Sequence, residues 1–430
     1  MGDDDGMDFL LDIAQKWAMD DPNPTTAEYV RTLIDQVKKG QTNLDQESSS
    51  LSTALATLRS FFPSDGSRIE FGTAGLRAPM KPGPLGLNDL VILQTTQGLV
   101  TYLKQQHQHN HLLAVVGYDH RSNPHLQISS KSLAYLTQAI FQQANIECIV
   151  FDDLIPTPFI AFATKYLHAS IGIMVTASHN PKLDNGFKVY GSDGTQIRPP
   201  IDQEIQHCIL NNLDPWILYP CNYNKRHLER NNDDNNSNNS MSTFTSQDLA
   251  KAYYRALAQS HLITGIGRTL NTAATTTSSS SSSSSRSTTI PKIVYSAMHG
   301  VGYPWAKQAI ETFDLPPFLS VPEQEQPDPF FSTVVFPNPE EKGALQKAFQ
   351  YASYHNANVV IANDPDADRL AVAEYSVSHG DSQTWTTFTG DQIGTMLGHW
   401  LWDQIGKHMT KVCRKKCKNN DEESQSLFYL

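Results

Sequence analysis

Cysteine is scarce in this sequence. The 430-residue chain contains 5 cysteines, an odd number, and no two of them have Cys-x-x-Cys spacing. Neither a disulfide framework nor a cysteine-based zinc site is therefore indicated. This cysteine usage is typical of a reducing compartment, so we expect the protein to be cytoplasmic.

Positive charge is also in short supply. The chain has 33 Lys and Arg against 44 Asp and Glu, which gives a formal net charge of -11. Nucleic acids and anionic membranes repel such a chain, although a local basic pocket for one phosphate stays possible. The sequence shows no apolar run long enough for a membrane span, and its first residues are acidic where a signal peptide would be basic. We expect no nucleic-acid partner and no membrane association, and no pattern indicates an oligomeric state.

Two polar stretches divide the chain. Residues 231–240 are rich in Asn, Asp and Ser, and residues 275–289 contain a long run of serine. Neither stretch can bury an apolar core, so both predict solvated insertions or boundaries. Because the chain is too long for one ordinary domain, two or three domains are expected.

Short apolar runs alternate with segments of helical spacing. Residues 112–116, 171–175, 293–297 and 359–362 fit buried strands. The alternation predicts an α/β fold with mixed, largely parallel sheets and flanking helices. Functional side chains in such folds lie just beyond the carboxyl ends of the strands, so the residues after these runs are the informative ones.

A serine follows the second of these strands, in the run Thr176-Ala-Ser-His-Asn-Pro181. Pro181 has a fixed φ and biases Asn180 away from helix, which predicts that Ser178 lies in a loop. His179 supplies a titratable neighbour. Considered alone, such a serine is more often a helix cap than a nucleophile, because its hydroxyl needs an activating base or metal.

The residues after this loop predict a strand that carries a lysine. Residues 184–186 and 191–194 have turn composition, and residues 187–190 between them fit a strand. This arrangement places Lys188 on a hairpin near Ser178. An ammonium group there could bind phosphate, or exchange a proton if its pKa is lowered, although most strand lysines face water.

Three aspartates follow the strand at 359–362. Asp364, Asp366 and Asp368 are spaced by two residues, and in an extended segment this period directs all three carboxylates to one side. Their repulsion would be strong without a cation, so the pattern predicts a hard-cation site that suits Mg²⁺ best. Pro365 and Arg369 break the pattern of an EF-hand, which excludes that class of calcium site.

The serine and aspartate runs closely resemble those of the phosphoglucomutase and phosphomannomutase superfamily. The run Phe71-Gly-Thr-Ala-Gly-Leu-Arg77 is similar to its N-terminal phosphate-contacting strand and loop, and the three motifs occur in the family's order. Residues 156–158, 299–302 and 336–341 look most like the eukaryotic branch that acts on glucose and pentose phosphates. The resemblance covers about residues 50–400.

The resemblance implies a role for each matching residue. Ser178 would be the phosphoserine, and the three aspartates would hold Mg²⁺ together with the serine phosphate. Arg77, Arg369 and Lys188 would bind the sugar phosphate, and Arg77 would also be a catalytic residue that faces the transferring phosphoryl group. His179 and Lys188 would exchange protons near the phosphoserine, with Lys188 favoured as general acid/base. The implied cycle moves phosphate between C1 and the terminal hydroxyl of glucose or ribose phosphates, through a sugar 1,6-bisphosphate that also serves as primer.

The resemblance also implies a domain order. It predicts domain I, with the phosphoserine loop, at 1–230, and domain II, with the metal loop and the low-complexity insertion at 275–289, at 241–378. Residues 379–430 would begin a third domain. We find neither the sugar-binding loop nor the final domain of the family, so we expect domain III to be incomplete and domain IV to be absent.

Two other classes of protein stay open. The first is a truncated, non-catalytic paralogue that binds sugar phosphates. The second is a haloacid-dehalogenase-type phosphatase, which would use Asp364 as its nucleophile but would leave the run around Ser178 unexplained.

One further arginine has two interpretations. Arg121 follows the strand at 112–116 in a loop that resembles a family loop. It would either support the phosphate site or form a structural ion pair, and the sequence favours neither.

Overall fold

The computed structural model describes residues 3–42, 48–106, 111–216, 244–260, 291–377 and 383–416. The polar stretches at 231–240 and 275–289 lie outside these residues, as do the predicted domain limits at 230, 241 and 379. The domain division therefore stays a prediction. Within the described ranges, no helix combines the length and the apolar character needed to cross a membrane.

Three helices precede the first strand. They are α1 (Asp3–Asp20), α2 (Pro24–Thr42) and α3 (Ser48–Phe61). Their apolar faces bury a core of their own, which includes Trp17, Ile34 and Leu58. Leu90 from the following helix joins this core, so the three helices are attached to the sheet that follows them.

The first sheet contains five strands. In chain order they are β1 (Leu76–Pro79), β2 (Leu113–Tyr118), β5 (Glu147–Val150), β6 (Ile171–Val175) and β7 (Asp184–Gly191), and a short pair, β3 (Ser122–Asn123) and β4 (Ile128–Ser129), lies apart from them. The spatial order of the strands is β1-β7-β6-β2-β5.

The helices that pack on this sheet are α4 (Asp89–Gln106), α5 (Ser130–Gln143), α6 (Thr157–Tyr166) and α7 (Ile201–Leu210). Helices α4, α5 and α7 cover one face and α6 covers the other, which is why β2 is buried along its whole length.

The second sheet also contains five strands. They are β8 (Ile293–Ser296), β9 (Leu319–Ser320), β10 (Val359–Asn363), β11 (Leu370–Val377) and β12 (Gln383–Thr387), in the spatial order β12-β11-β10-β8-β9. The helices of this region are α8 (Ser246–Gln259), α9 (Gly302–Thr312), α10 (Pro322–Glu325) and α11 (Gln346–Tyr354), and α12 (Gly390–Lys416) follows β12. We call residues 3–216 the first unit and the described residues of 244–387 the second unit.

The predicted α/β class with mixed sheets and flanking helices is confirmed, but the described sheets are not largely parallel as predicted, because each carries antiparallel strand pairs at one edge. In each of the two large sheets described, two neighbouring pairs of strands are parallel and two are antiparallel. The four strands predicted from apolar runs all form, with ends that differ from the prediction by at most two residues. The reversal predicted at 191–194 is also present, since the Gly194 amide donates to the Gly191 carbonyl at 2.9 Å.

One predicted turn is wrong. Residues 184–186 form the start of β7 instead of a turn, and they pair with β1 so that Gly186 lies opposite Arg77. Strand β1 supplies the backbone partners that turn composition alone does not reveal. The glycine is needed here because a Cβ at position 186 would meet the carbonyl oxygen of Thr176.

The two units share an apolar contact. Trp305 of α9 packs against Phe159 of α6 with ring centroids 5.2 Å apart, and its indole N–H donates to the Leu154 carbonyl at 3.0 Å. Tyr254 of α8 donates to the Trp305 carbonyl at 2.8 Å. This contact fixes the first unit against the second, and the loops that follow β6 and β10 meet beside it.

Candidate active site

The loop after β6 presents Ser178 in an uncommon backbone conformation. Ser178 has φ +54°, and its amide donates to the Thr176 hydroxyl oxygen at 2.9 Å. A left-handed serine persists only where the surroundings fix it. The predicted loop position of Ser178 is confirmed, and its buried hydroxyl is directed at the second unit: it donates to Asp364 Oδ2 at 2.7 Å.

The three aspartates do meet, but not in the predicted way. One carboxylate oxygen from each of Asp364, Asp366 and Asp368 lies within 4.8 Å of the others. The segment is a tight turn rather than an extended strand, because the Ala367 amide donates to the Asp364 carbonyl at 2.9 Å and Ala367 has φ +54°. Turn closure, and not alternation along a strand, therefore brings the carboxylates together.

Lys188, on strand β7, contacts two of these carboxylates. The sequence predicted a strand position near the serine loop for this lysine. Its ammonium group donates to Asp366 Oδ2 at 2.6 Å and to Asp368 Oδ2 at 2.7 Å. Burial alone would lower the pKa of Lys188, but the two carboxylates raise it above its ordinary value. Lys188 is therefore protonated here and brings a positive charge to the carboxylates.

The carboxylates themselves differ in charge. Burial raises the pKa of Asp364 well above its usual range, and the nearby Asp366 and Asp368 carboxylates add to this effect. Burial acts in the same direction on Asp366, but the ammonium of Lys188 outweighs it and lowers the pKa of Asp366. The pKa values of Asp364 and Asp366 thus shift in opposite directions, and Asp366 forms the ion pair with Lys188, as expected for crowded negative charge beside one ammonium group.

His179 and two arginines surround the serine. His179 Nδ1 lies 3.3 Å from Ser178 Oγ. Burial lowers the pKa of His179, and the positive charges of Arg369 and Arg77 lower it further, so the ring is neutral at pH 7. Arg77 reaches the same loop with its Nη1 3.5 Å from Asn180 Oδ1, and Arg369 Nε lies 4.0 Å from Asp364 Oδ2. All eight predicted site residues therefore lie in one region.

Two contributors were not assigned by the sequence. Thr157 donates from its hydroxyl to Asp366 Oδ2 at 2.6 Å, and its amide donates to the Asp366 carbonyl at 2.9 Å. The stretch 156–158 resembled the family but gave no role. Arg121 is fully buried and donates to the carbonyl of Ser178 at 2.7 Å. Of its two interpretations, the structural ion pair is present, since Arg121 Nε lies 3.5 Å from Asp119 Oδ2, and support of the phosphate site stays a prediction that the contact with the serine loop favours.

The oxygen atoms of the cluster suit a divalent cation. Asp366 Oδ1 is buried and has no hydrogen-bond partner among the described residues. A buried acceptor without a partner is costly, and a cation would supply the interaction that it lacks. All three candidate ligands are carboxylates, which favours a hard ion such as Mg²⁺ over a metal that prefers nitrogen or sulfur.

The fold and the two facing loops define a class of protein, the phosphohexomutase superfamily. Within it, the description "phosphoglucomutase/phosphomannomutase, alpha/beta/alpha domain I" matches residues 68–215, and the corresponding domain II matches residues 272–376. The chain belongs to the phosphoglucomutase/phosphomannomutase family.

Several curated proteins are similar to this chain. A mouse phosphopentomutase is 38% identical over 99% of this chain and 59% of its own length. A human glucose 1,6-bisphosphate synthase is 36% identical over 84% of this chain and 52% of its own length, and a yeast phosphoribomutase is 35% identical over 98% and 58%. The chain thus spans little more than half the length of these relatives.

A solved structure shares the fold. A Thermus thermophilus protein with a provisional assignment as a phosphomannomutase superposes with a TM-score of 0.52 at 20% identity. The match covers 72% of this chain and 57% of that protein. At this level of identity, it supports the architecture described above and no particular substrate.

Proposed function

We propose that this chain is a Mg²⁺-dependent phosphosugar mutase in which Ser178 accepts and returns the phosphoryl group. The contact that carries the proposal is the 2.7 Å hydrogen bond from the Ser178 hydroxyl to Asp364, because it joins the nucleophile to the carboxylate cluster. The proposed substrates are glucose 1-phosphate and glucose 6-phosphate, ribose 1-phosphate and ribose 5-phosphate, or both pairs, with a sugar bisphosphate as intermediate. The names of the similar proteins support this class of substrate.

The residues around Ser178 suit both halves of the transfer. When phosphoserine donates, its Oγ–P bond breaks, a new O–P bond forms on the sugar hydroxyl, and that hydroxyl releases its proton. We assign proton exchange at the Ser178 oxygen to His179, whose Nδ1 lies 3.3 Å from Oγ, and proton exchange at the sugar hydroxyl to Lys188 as general acid/base. The proton released by the sugar hydroxyl is matched by one taken up at the Ser178 oxygen, so the transfer leaves the total number of protons unchanged. The return step reverses these roles.

Charge around the transferred group is provided from both sides. Asp364, Asp366 and Asp368 would hold Mg²⁺, which when bound supplies positive charge to the phosphoryl oxygens. Arg77 and Arg369 flank the serine loop and would bind the same oxygens. Positioned cations of this kind are the main contribution that proteins make to phosphoryl transfer.

Phosphate mapping tests the proposal directly. The purified chain is incubated with Mg²⁺ and radiolabelled glucose 1,6-bisphosphate, and labelled peptides are identified by mass spectrometry. We expect acid-stable label on Ser178 and none in Ser178→Ala. Ser192→Ala removes an exposed serine of the same unit and should label normally. Hydroxylamine-sensitive label on Asp364 would contradict the mutase and identify the phosphatase class instead.

Turnover requires a separate assay. Glucose 1-phosphate and ribose 1-phosphate are each supplied with Mg²⁺ and a bisphosphate primer, and product is measured. We expect at least one substrate to be converted. Because the chain spans 52–59% of the relatives named above, a second candidate is a sugar-phosphate-binding protein without turnover. Label on Ser178 with no product from either substrate would support that candidate.

A further inference from the structure

The side chain of Arg121 binds backbone carbonyl groups of the serine loop and no acidic side chain of that loop. Its guanidinium donates to four carbonyl oxygens, those of Ser178 and Asn180 at 2.7 Å, Pro181 at 2.8 Å and Asp184 at 3.0 Å. Its planar fork meets acceptors in several directions at once, which an ammonium group cannot reproduce. The loop conformation that directs Ser178 toward the second unit is therefore tied to the orientation of one side chain.

Within the first unit, Arg121 is held by these four carbonyls and, at Nε, by Asp119. Its Nε lies 3.5 Å from Asp119 Oδ2, at ion-pair distance but without a hydrogen bond. Asp119 in turn accepts from the Arg121 amide at 3.0 Å and from the Ser130 hydroxyl at 2.6 Å. These first-unit contacts engage the nitrogen atoms of Arg121, and a group packed on the face of its guanidinium would restrict its orientation further.

The covering group comes from the second unit. The ring centroid of Phe331 lies 5.1 Å from Arg121 Cζ and 5.3 Å from the ring of His120. Phe331 is 2% exposed and has φ +49°, whereas its neighbour Phe330 is 55% exposed. A buried phenylalanine in the left-handed region is held there by its surroundings, and an aromatic face over a desolvated guanidinium is attractive.

The segment that carries Phe331 is attached to the carboxylate loop. The Asp328 amide donates to the His299 carbonyl at 3.0 Å, and the Thr333 amide donates to the His299 ring at 3.2 Å. Two residues later, the Val301 amide donates to the Pro365 carbonyl at 2.9 Å, within the aspartate turn. A continuous set of contacts therefore runs from the aspartate turn through Phe331 to Arg121.

We propose that Arg121 is a positioning residue for the Ser178 loop and that Phe331 holds its guanidinium in place, so that contact between the two units orders the loop. The labelling of Ser178, which is one measurement of this role, rests on the proposed function above. The order of the loop, measured by hydrogen exchange, does not depend on that function. Arg121 and Phe331 act through the loop and are not expected to contact the phosphoryl donor.

The test is a double-mutant cycle in the full chain. Arg121→Lys keeps the charge but loses the fork, Phe331→Leu keeps the apolar packing but loses the aromatic face, and the double variant combines them. Phe330→Leu is the matched control. Two quantities are measured: hydrogen exchange in the peptide that covers 176–186, and the rate at which Ser178 is labelled by glucose 1,6-bisphosphate at a series of donor concentrations.

We expect both single variants to exchange faster in 176–186 and to lower the maximal labelling rate about tenfold or more, with half-saturation by the donor changed less than about twofold. The double variant should resemble Arg121→Lys alone, because Phe331 acts through Arg121. Additive effects, or a Phe331→Leu protein that matches Phe330→Leu, would overturn the proposal.

Exchange in the α1 and α2 peptides shows whether each variant is folded. If Arg121→Lys unfolds globally, the comparison of Phe331→Leu with Phe330→Leu decides, because faster exchange confined to 176–186 supports the proposal and unchanged exchange refutes it. If the wild-type chain takes no label, the proposed function fails, while the exchange data still decide the positioning role.

Discussion

The ammonium group of Lys188, on strand β7, lies 2.6 Å from the carboxylate of Asp366, in the turn after β10, although the two residues are 178 positions apart in sequence. Both side chains are buried, so this ion pair joins the two units inside the candidate site. Removing one partner of a buried pair leaves an uncompensated charge, which costs more than the pair contributes. Stability and metal binding should therefore be linked at this position.

Lys188→Met tests this link. Without Mg²⁺ we expect the free energy of unfolding in urea to fall by about 3–5 kcal/mol, because the carboxylates lose their positive partner. Saturating Mg²⁺ should recover a large part of that loss, since the ion supplies positive charge at the same oxygens. Lys182→Met, at an exposed position after the serine loop, should change stability little under either condition. An equal loss with and without Mg²⁺ would show that the ion does not bind beside Lys188.

Asp366→Asn should abolish the stabilisation that Mg²⁺ gives to the wild-type chain. A ligand at 100 times its dissociation constant stabilises a folded protein by about 2.7 kcal/mol, so the unfolding temperature of the wild type should rise on titration with Mg²⁺ and return on chelation with EDTA. Asp193→Asn removes an exposed carboxylate of the first unit and should leave this response intact. A variant at position 366 that still responds fully would exclude the aspartate turn as the ion site.

The sequence predicted which residues lie close together better than it predicted the backbone geometry that brings them together. Ser178 and Asp364 follow buried apolar strands, and residues at that position in α/β sheets converge whatever the details of the loop. The turn that gathers the carboxylates was not predicted, because it depends on Ala367 adopting φ +54°, which composition does not favour.

The sequence did not decide between two roles for Arg121, and the structure shows why. Its acceptors are four backbone carbonyls, and carbonyl groups have no side-chain signature. The pairing of residues 184–186 with β1 was missed for the same reason, since strand partners distant in sequence outweigh local turn propensity.

Gly300→Ala should weaken Mg²⁺ binding without a general loss of structure. A Cβ at this position would meet the Pro365 backbone, so the aspartate turn would have to shift. Changes just outside the ligands of a metal typically cost about 10- to 100-fold in affinity, and we expect a loss in that range by calorimetric titration. Gly398→Ala is the control, because a Cβ there meets nothing within 4 Å and lies in helix α12. Equal Mg²⁺ affinities in the two variants would contradict the close-packing role of Gly300.

The pH dependence of stability should depend in part on Asp21, in the loop between α1 and α2. Burial raises the pKa of Asp21 to about 8, and the nearby Asp89 carboxylate adds to the shift, while hydrogen bonds from Thr26 and Asn23 and the charge of Arg31 oppose it. The folded state therefore binds the Asp21 proton more tightly than the unfolded state does. Between about pH 4 and pH 8, unfolding releases that proton, so the free energy of unfolding falls as the pH rises, by at most about 1.4 kcal/mol per pH unit.

Asp21→Asn should flatten this dependence between pH 5 and pH 8, because an amide keeps an oxygen acceptor for the Asn23 amide but does not titrate. The measurement is urea unfolding at several pH values. Asp35→Asn, at an exposed position on α2, should retain the wild-type slope. If Asp21→Asn also retains that slope, the proton taken up on folding belongs to another group, with Asp89 as the next candidate since burial raises its pKa to about 6.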